Sequence, residues 1–335
     1  MKETFIIAEI AQAHDGSLGL AHSYIDAVAK TGCNAIKFQT HIAEAESSLE
    51  EPFRVNFSFE DKTRYDYWKR MEFTLEQWKE IKAHCDKVGL EFISSPFSNT
   101  AVDLLEEVGV NRYKIGSGEV NNFVLLEKII QTGKPIIISS GMSSFEELDK
   151  TVAFLKNRNA NYSILQCTTA YPTKPSQFGF NVLKELKERY NVVVGFSDHS
   201  SSIEASIAAV ALGADILEFH VVFNKEMFGP DAKASLNFKE TKKLVKAVRN
   251  IKKALNNPID KNDNSNFKEL KQIFEKSLAI NKDLTEGHVI KFSDLEAKKP
   301  KGFGILASDY QRIIGKELNK DLNKWDFLTF KDLKE

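Results

Sequence analysis

Between residues 5 and 254, short apolar runs alternate with longer stretches in which apolar residues recur at helical spacing. The runs are apolar at successive positions, which is typical of parallel strands buried on both faces. Eight runs are predicted as strands, at 5–10, 34–39, 90–95, 112–116, 135–140, 162–167, 192–195 and 216–220. The predicted helices between and after them include 18–30, 75–88, 101–108, 145–156, 203–212 and 239–254.

Eight strand–helix units in 255 residues predict an α/β fold, a (β/α)₈ TIM barrel spanning residues 1–255. A doubly wound sheet is the alternative. Its one supporting string, Gly116-Ser117-Gly118, lacks the third glycine of a dinucleotide-binding turn and ends a strand in mid-chain. The segment 41–71 is long for a loop between a strand and a helix, and loops of that length are often functional.

The pattern changes after the last predicted helix. Residues 256–267 are dominated by Asn, Asp and Lys without apolar periodicity, so 256–273 is predicted as a linker. Residues 274–335 then form a small second unit with brief strand-like runs. About 60 residues is marginal for an independent core, so this unit is expected to pack on a larger body.

Composition narrows the class of protein. The 46 basic and 47 acidic residues give a net charge of −1, which argues against a nucleic-acid partner. A hydrophobic fraction of 42% with 28% charged residues is typical of a folded globular protein. No apolar run approaches the ~18 residues of a membrane span, and the N-terminal residues do not read as a signal peptide. Three separated cysteines predict reduced thiols and a cytoplasmic location.

Polar side chains cluster where the predicted strands end. Active sites of these barrels lie at the C-terminal ends of the strands, so the clustering predicts a catalytic barrel. In chain order the residues are Glu9, Gln12 and His14; Lys37 and Gln39; Ser94, Ser95 and Ser98; Lys114, Ser117 and Glu119; Ser139 and Ser140; Thr168, Thr169 and Tyr171; Ser197, Asp198 and His199; Glu218 and His220.

The set includes two cations, Lys37 and Lys114, surrounded by neutral donors. The hydroxyl donors are Ser95, Ser117, Ser139, Thr169 and Ser197. Glycines nearby let backbone N–H groups approach an anion. Together these residues suit a small ligand with two anionic groups, such as a phosphorylated carboxylate. The structural alternative is that Lys114 pairs with Glu119 or Glu9.

His199 and His220 end neighbouring predicted strands, which lie about 4.8 Å apart in a sheet. Two histidines without a thiolate suit a labile divalent metal with positions open to water and substrate. The alternative is a pair of core histidines. Glu9 is a candidate base or hydroxyl-binding group, Asp231 is placed to reach the same cavity, and Cys167 is predicted as a packing residue.

The ordered strings IIAEIAQAHDG, AIKFQTH, FISSPFS, YKIGSGE, PIIISSGM, VGFSDHS and ILEFH resemble the motifs of the N-acetylneuraminate synthase family. The tail SLAINKDLTEGHVIKFSDLEAKKP resembles that family's antifreeze-like (SAF) domain. The resemblance implies condensation of phosphoenolpyruvate with a free N-acetylated hexosamine, release of phosphate, and a nine-carbon 2-keto-3-deoxy acid as product. It also implies a domain-swapped homodimer.

The resemblance implies roles for particular residues. His199 and His220 match the manganese-binding pair, with Mg²⁺ or Co²⁺ as alternatives, and Lys299 takes the place of an arginine that enters the partner's active site. Thr169 departs from the usual asparagine. The positions around phosphoenolpyruvate match Lys37, Ser95, Lys114, Ser117, Ser139, Thr169 and Ser197. The positions that surround the sugar or line the site match Glu9, Gln39, Phe97, Glu119, Tyr171 and Asp231.

The sequence constrains the identity of the acceptor, the N-acetylated hexosamine, less than it constrains the reaction. The string Gln12-Ala13-His14 is most similar to the branch that makes N,N'-diacetyllegionaminate from 2,4-diacetamido-2,4,6-trideoxymannose. N-acetylneuraminate synthesis from N-acetylmannosamine and pseudaminate synthesis stay open. So do a Schiff-base aldolase with Lys114 as nucleophile and a non-catalytic carbohydrate-binding protein.

Overall fold

A computed structural model describes residues 3–55 and 57–334. The chain divides into two compact units, with the boundary between Asn257 and Pro258. Within the described residues, no helix is both long enough and apolar enough to cross a bilayer.

The first unit is a closed barrel of eight parallel strands, each paired with the next along the chain. Pairing of the first strand with the eighth closes it, which confirms the predicted barrel and excludes the doubly wound sheet. The strands are β1 Phe5–Ala11, β2 Ala35–Thr40, β3 Glu91–Pro96, β4 Tyr113–Ile115, β5 Ile136–Ser139, β6 Tyr162–Cys167, β7 Val194–Asp198 and β8 Ile216–Val222. A short β9, Leu236–Asn237, pairs with β8.

Helices follow the strands around the outside. Several begin at a Ser, Thr or Asn whose side chain accepts a hydrogen bond from the first turn, as Ser144 does from Glu147 N. The helices of this unit are α1 Leu18–Ala29, α2 Ala43–Glu46, α3 Arg64–Met71, α4 Leu75–Val88, α5 Asn99–Val108, α6 Phe123–Ile130, α7 Phe145–Lys156, α8 Phe180–Tyr190, α9 Ile203–Ala211 and α10 Phe238–Leu255.

Two apolar layers support the barrel. A large core lies between the strands and the helices and contains Trp78, Phe38 and Phe92. A smaller core of buried residues, Ile7, Ala35, Ile93, Ile137, Leu165 and Ile216, comes from alternating positions on the strands. It fills the barrel interior, because side chains alternate between the two faces of a strand. The polar strand ends lie beyond it.

The segment 41–71, expected as a loop, is partly helical, since α2 and α3 lie within it. Thr63 and Asp66 form a reciprocal capping box that starts α3. Arg70 ties the end of α3 to Asp15 at 2.5 Å and to Asp61 at 2.8 Å. The segment has its own apolar cluster of Ala43, Phe53, Phe57, Tyr65, Tyr67, Trp68 and Met71. It is therefore a structured insertion.

The second unit contains α11 Lys268–Phe274 and an antiparallel pair, β10 Ser277–Ile280 and β11 Leu295–Lys298. Because α11 covers residues 268–273 completely, the last six residues of the predicted linker are helical. The unit has its own apolar core of Leu278, Ile280, Leu284, Ile290, Ile305, Ile313, Leu318, Leu322, Leu328 and Leu333.

The second unit contains an internal sequence repeat. Residues 280–296 read INKDLTEGHVIKFSDLE and residues 318–334 read LNKDLNKWDFLTFKDLK. The structure repeats the same contacts in both copies. Lys282 pairs with Asp294 at 2.7 Å, and Lys320 pairs with Asp332 at 2.5 Å. Leu284 and its counterpart Leu322 meet in an antiparallel bridge.

Candidate active site

A cavity of about 370 Å³ opens at the C-terminal end of the barrel. It is lined by all the residues of the first unit that the resemblance assigned to the site: Glu9, Lys37, Gln39, Ser95, Phe97, Lys114, Ser117, Glu119, Ser139, Thr169, Tyr171, Ser197, His199, His220 and Asp231. Among the other polar residues at the predicted strand ends, Gln12 and Glu218 also line it, whereas His14, Ser94, Ser98, Ser140, Thr168 and Asp198 do not. Lys299 belongs to the second unit, where its Nζ lies 4.6 Å from the ring centroid of Phe274.

At the base of the cavity, two lysines and two glutamates form a buried quartet. Lys37 Nζ lies 2.7 Å from Glu9 Oε1 and 3.9 Å from Glu218 Oε1. Lys114 Nζ lies 3.3 Å from the same Glu218 oxygen. Lys114 therefore pairs with Glu218, and the suggested pairing with Glu119 or Glu9 is wrong. Two cations and two carboxylates leave the quartet formally neutral.

The charges of the quartet support one another. Burial alone would raise the pKa of Glu9, but Lys37, His220 and Lys114 outweigh burial and hold that pKa below its usual value. Burial would lower the pKa of Lys37, but Glu218 and Glu9 outweigh it and raise the pKa. Both groups therefore stay charged. The lysines also donate to hydroxyls, Lys37 to Ser95 Oγ at 3.3 Å and Lys114 to Ser139 Oγ at 2.8 Å.

The sequence places Glu218 at the end of a strand but does not by itself indicate a role for it. Its position on β8 predicts that it faces the cavity, because residues two apart on a strand share a face and His220 lines the cavity. Glu218 Oε1 accepts from Ser197 Oγ at 3.2 Å. Its Oε2 is buried without a hydrogen-bond partner among the described residues, so the quartet keeps one unused acceptor.

His199 and His220 lie side by side, with ring centroids 5.3 Å apart. His199 Nδ1 lies 3.1 Å from the carbonyl oxygen of Thr168. Since a carbonyl oxygen only accepts hydrogen bonds, Nδ1 carries the hydrogen in the neutral ring and leaves Nε2 as the lone-pair nitrogen. His220 Nε2 lies 3.6 Å from Glu9 Oε2. Within the described residues, no group of three or more His, Cys, Asp or Glu is arranged to hold a metal.

The two imidazoles differ in their surroundings. Burial would lower the pKa of His199, but Cys167 and the Thr168 carbonyl outweigh it and raise the pKa to about 9. Burial lowers the pKa of His220. A cation bound at His199 would therefore displace a proton. Cys167, predicted as a packing residue, is buried but also lines the cavity, with Sγ 3.9 Å from His199 Nδ1.

The cavity wall between β4 and β6 is closely packed around Gly141. A Cβ at Gly141 would lie 2.5 Å from Thr169 Oγ1 and 2.7 Å from Ser117 Oγ. This glycine therefore lets the backbone lie close to two predicted ligand-binding hydroxyls, and the expected approach of its N–H group to an anion stays a prediction. Glu119 is half-buried, which raises its pKa, although it accepts from Asn122 at 2.7 Å.

The insertion supplies cavity residues that the sequence analysis missed. His41 stacks between Trp68 and Phe97, at centroid distances of 3.9 and 4.4 Å. Arg54 donates to Asp231 at 2.8 Å and lies over Tyr171. The length and aromatic content of segment 41–71 indicate in the sequence that the segment is functional. They do not indicate which of its side chains line the cavity.

Comparisons with known proteins show similarity over most of the chain. The sequence model of the NeuB family matches residues 24–260. The N,N'-diacetyllegionaminic acid synthase of Campylobacter jejuni is 36% identical over 327 residues, covering 96% of this chain and 97% of that protein. The human N-acetylneuraminate-9-phosphate synthase is 34% identical over 328 residues, covering 94% and 88%. The crystal structure of an N-acetylneuraminic acid synthetase from Leptospira borgpetersenii, in complex with citrate, has a TM-score of 0.71 and 31% identity, covering 81% of this chain and 91% of that one.

Proposed function

Because the chain belongs to the NeuB family and is an enzyme of the sialic-acid-synthase type, we propose that it condenses phosphoenolpyruvate with an N-acetylated hexosamine and releases phosphate. The observation that carries the proposal is the cavity itself, which joins a buried lysine pair to a histidine pair. The first suits a small dianion, and the second suits a cation that activates a carbonyl. The product is a nine-carbon 2-keto-3-deoxy acid.

Lys37 and Lys114 bind the phosphate and carboxylate of phosphoenolpyruvate in this proposal. Ser95, Ser117, Ser139, Thr169 and Ser197 line the same cavity and supply neutral donors. Fixed donors in a site shielded from water stabilise developing charge without reorganising. Glu9 and Glu218 hold the lysine side chains in place before the ligand arrives.

The histidine pair fits a divalent metal, which we propose is Mn²⁺, with Mg²⁺ or Co²⁺ as alternatives. His199 and His220 would hold it, because their rings face one cavity and Nδ1 of His199 is oriented by a carbonyl. Two protein ligands leave the remaining positions to water and substrate. A bound divalent ion supplies a Lewis acid that polarises the aldehyde oxygen of the open-chain sugar.

The proposed reaction joins the two substrates through a new carbon–carbon bond. The methylene carbon of phosphoenolpyruvate bonds to the aldehyde carbon as the C=C and C=O π bonds break, and the aldehyde oxygen takes up a proton to become a hydroxyl. Water then adds to the electron-poor C2. The resulting tetrahedral centre breaks its bond to the bridging oxygen, so phosphate leaves with that oxygen and a ketone forms. Lys37 and Lys114 hold phosphate and carboxylate throughout. Of the two candidate bases for the proton of the water, Glu119 fits better than Glu9, because burial raises the pKa of Glu119 whereas Lys37 and its neighbours hold the pKa of Glu9 below its usual value.

The charges around the acceptor favour a sugar without a phosphate group. Away from the quartet, the described part of the cavity wall carries four carboxylates, from Glu46, Glu51, Glu119 and Asp231, and two arginines. Arg54 pairs with Asp231 at 2.8 Å, and Arg64 pairs with Glu51 at 3.2 Å. The carboxylates of this wall therefore outnumber its arginines, whereas the quartet at the base is formally neutral, so a second phosphate is disfavoured at the wall. We propose 2,4-diacetamido-2,4,6-trideoxymannose as the acceptor and N,N'-diacetyllegionaminate as the product.

A panel of acceptors tests this choice. With phosphoenolpyruvate and Mn²⁺, kcat/KM is measured for the proposed acceptor, N-acetylmannosamine, N-acetylmannosamine 6-phosphate and 2,4-diacetamido-trideoxyaltrose. We expect the highest kcat/KM for the proposed sugar. We expect kcat/KM for the 6-phosphate to be at least about tenfold lower than for N-acetylmannosamine, because the wall is net acidic. If kcat/KM is highest for N-acetylmannosamine, the enzyme is a neuraminate synthase, and if it is highest for the altrose derivative, the enzyme is a pseudaminate synthase. The highest kcat/KM for the 6-phosphate would contradict the argument from the charge of the wall.

The second unit has a proposed role as an antifreeze-like SAF domain. In a domain-swapped homodimer, the partner subunit's Lys299 would enter the active site and bind an amide oxygen of the acceptor. Lysine keeps the charge of the arginine expected there but lacks its planar fork.

The proposed domain order is a barrel at 1–255, a connecting segment at 256–273 and the SAF domain at 274–335. The proposed location is cytoplasmic, where a synthase of this kind meets phosphoenolpyruvate.

A further inference from the structure

Arg54 reaches the cavity from the insertion between β2 and α4. Its Nη2 donates to Asp231 Oδ1 at 2.8 Å, across 177 positions of sequence. Its Cζ lies 4.2 Å from the ring centroid of Tyr171. The Arg54 side chain is 39% exposed and that of Asp231 is 20% exposed, so both remain open to a ligand. An ion pair and an aromatic face together fix the plane of the guanidinium.

Most of the donor capacity of Arg54 is unused. A guanidinium carries five N–H groups. Among the described residues, its hydrogen bonding is confined to Asp231. Asp231 also balances the positive charge. A planar donor group whose charge is already compensated suits an uncharged carbonyl oxygen better than a phosphate, which would have to compete with the carboxylate beside it.

The neighbours of Arg54 place it beside the reacting end of the proposed acceptor. The Tyr171 ring also contacts His199, with centroids 4.2 Å apart, and His220, at 6.0 Å. One aromatic ring therefore touches both Arg54 and the histidine pair. A hexosamine with its aldehyde at the histidine pair would carry its substituents outward along this wall.

We propose that Arg54 is an acceptor-recognition residue, whose spare N–H groups bind the carbonyl oxygen of an acetamido substituent of the sugar. The inference rests on the proposed function and adds a specificity residue to it. The substituent has two possible positions, the acetamido group that all the N-acetylated acceptors share or the second one of a diacetamido sugar.

The test is Arg54→Lys, which keeps a positive charge for Asp231 but removes the planar fork. The KM for the acceptor is expected to rise about tenfold, the effect of losing one hydrogen bond to a charged group. The KM for phosphoenolpyruvate, kcat and the melting temperature are expected to stay near their wild-type values. The matched control is Arg158→Lys. Arg158 lies just after α7, pairs with Glu127 at 2.6 Å, has its Cζ 3.6 Å from the ring centroid of Phe154, and does not line the cavity. This variant is expected to leave both KM values unchanged.

The outcomes separate this inference from the proposed function. A tenfold loss confined to the diacetamido sugar places the contact at its second acetamido group, and an equal loss with N-acetylmannosamine places it at the shared one. An unchanged acceptor KM in Arg54→Lys overturns the inference and leaves the proposed function standing, as does an equal rise in the KM for phosphoenolpyruvate. Wild-type enzyme that binds none of the acceptors overturns both.

Discussion

Replacing His220 with alanine is expected to lower kcat/KM by at least about 1,000-fold, because the variant loses half of the pair that would hold the Lewis acid. The fold is expected to persist, since the side chain borders the cavity and lies outside the barrel's apolar cores. Turnover is measured by phosphate release with added Mn²⁺, and the fold by circular dichroism and thermal melting. Treatment of the wild-type enzyme with EDTA is expected to have a comparable effect, and Mn²⁺ is expected to restore its activity.

A second histidine pair provides the matched control. His22 on α1 and His84 on α4 approach at 2.9 Å between their Nδ1 atoms, and neither lines the cavity. His22→Ala is therefore expected to keep full turnover and the same metal requirement. Full activity of His220→Ala, or of the wild-type enzyme in EDTA, would show that the histidine pair is structural.

The second large effect is expected for Lys114→Met. The change removes a cation that would bind phosphoenolpyruvate and leaves the buried Glu218 carboxylate with Lys37 alone, 3.9 Å away. We expect kcat/KM for phosphoenolpyruvate to fall about 1,000-fold, and the free energy of unfolding to fall by about 3 kcal/mol because a buried charge loses its partner. Activity is measured by phosphate release and stability by urea denaturation.

The double variant Lys114→Met with Glu218→Gln separates the two effects. It removes one charge of each sign from the quartet, so most of the stability is expected to return while turnover stays lost. Recovery of wild-type turnover in the double variant would mean that Lys114 only neutralises Glu218. Trapping of a substrate on Lys114 by borohydride in the wild-type enzyme would instead indicate a Schiff-base aldolase.

The barrel could be predicted because its signals are local. Apolar runs of strand length and helical spacing between them depend on neighbours in sequence, and β6 at Tyr162–Cys167 coincides with its predicted run. Residues at strand ends converge in any closed parallel barrel, so the sequence alone assigns Lys37, Lys114, His199 and His220 to one cavity. The closure itself, through β1 and β8, then places Glu9 beside His220 in register.

The missed features depend on long-range contacts. The pairing of Glu218 with Lys114 follows from the register of strands that are not neighbours in the chain. Arg54 reaches Asp231 only because the insertion folds around its own aromatic cluster, which strand and helix periods do not describe. The repeat in residues 280–334 is visible in the sequence, but only the structure shows that both copies form the same ion pair, Lys282–Asp294 in one and Lys320–Asp332 in the other.

The most direct test of the account follows the bridging oxygen of phosphoenolpyruvate. The enzyme is incubated with Mn²⁺, the diacetamido acceptor and phosphoenolpyruvate that carries ¹⁸O in the bond between C2 and phosphorus. Mass spectrometry then locates the label in the products. Cleavage of the C–O bond predicts that the phosphate released in the presence of the acceptor carries ¹⁸O and that the nine-carbon keto acid is unlabelled. Label retained in the ketone, or no acceptor-dependent phosphate release with any sugar of the panel, would contradict it.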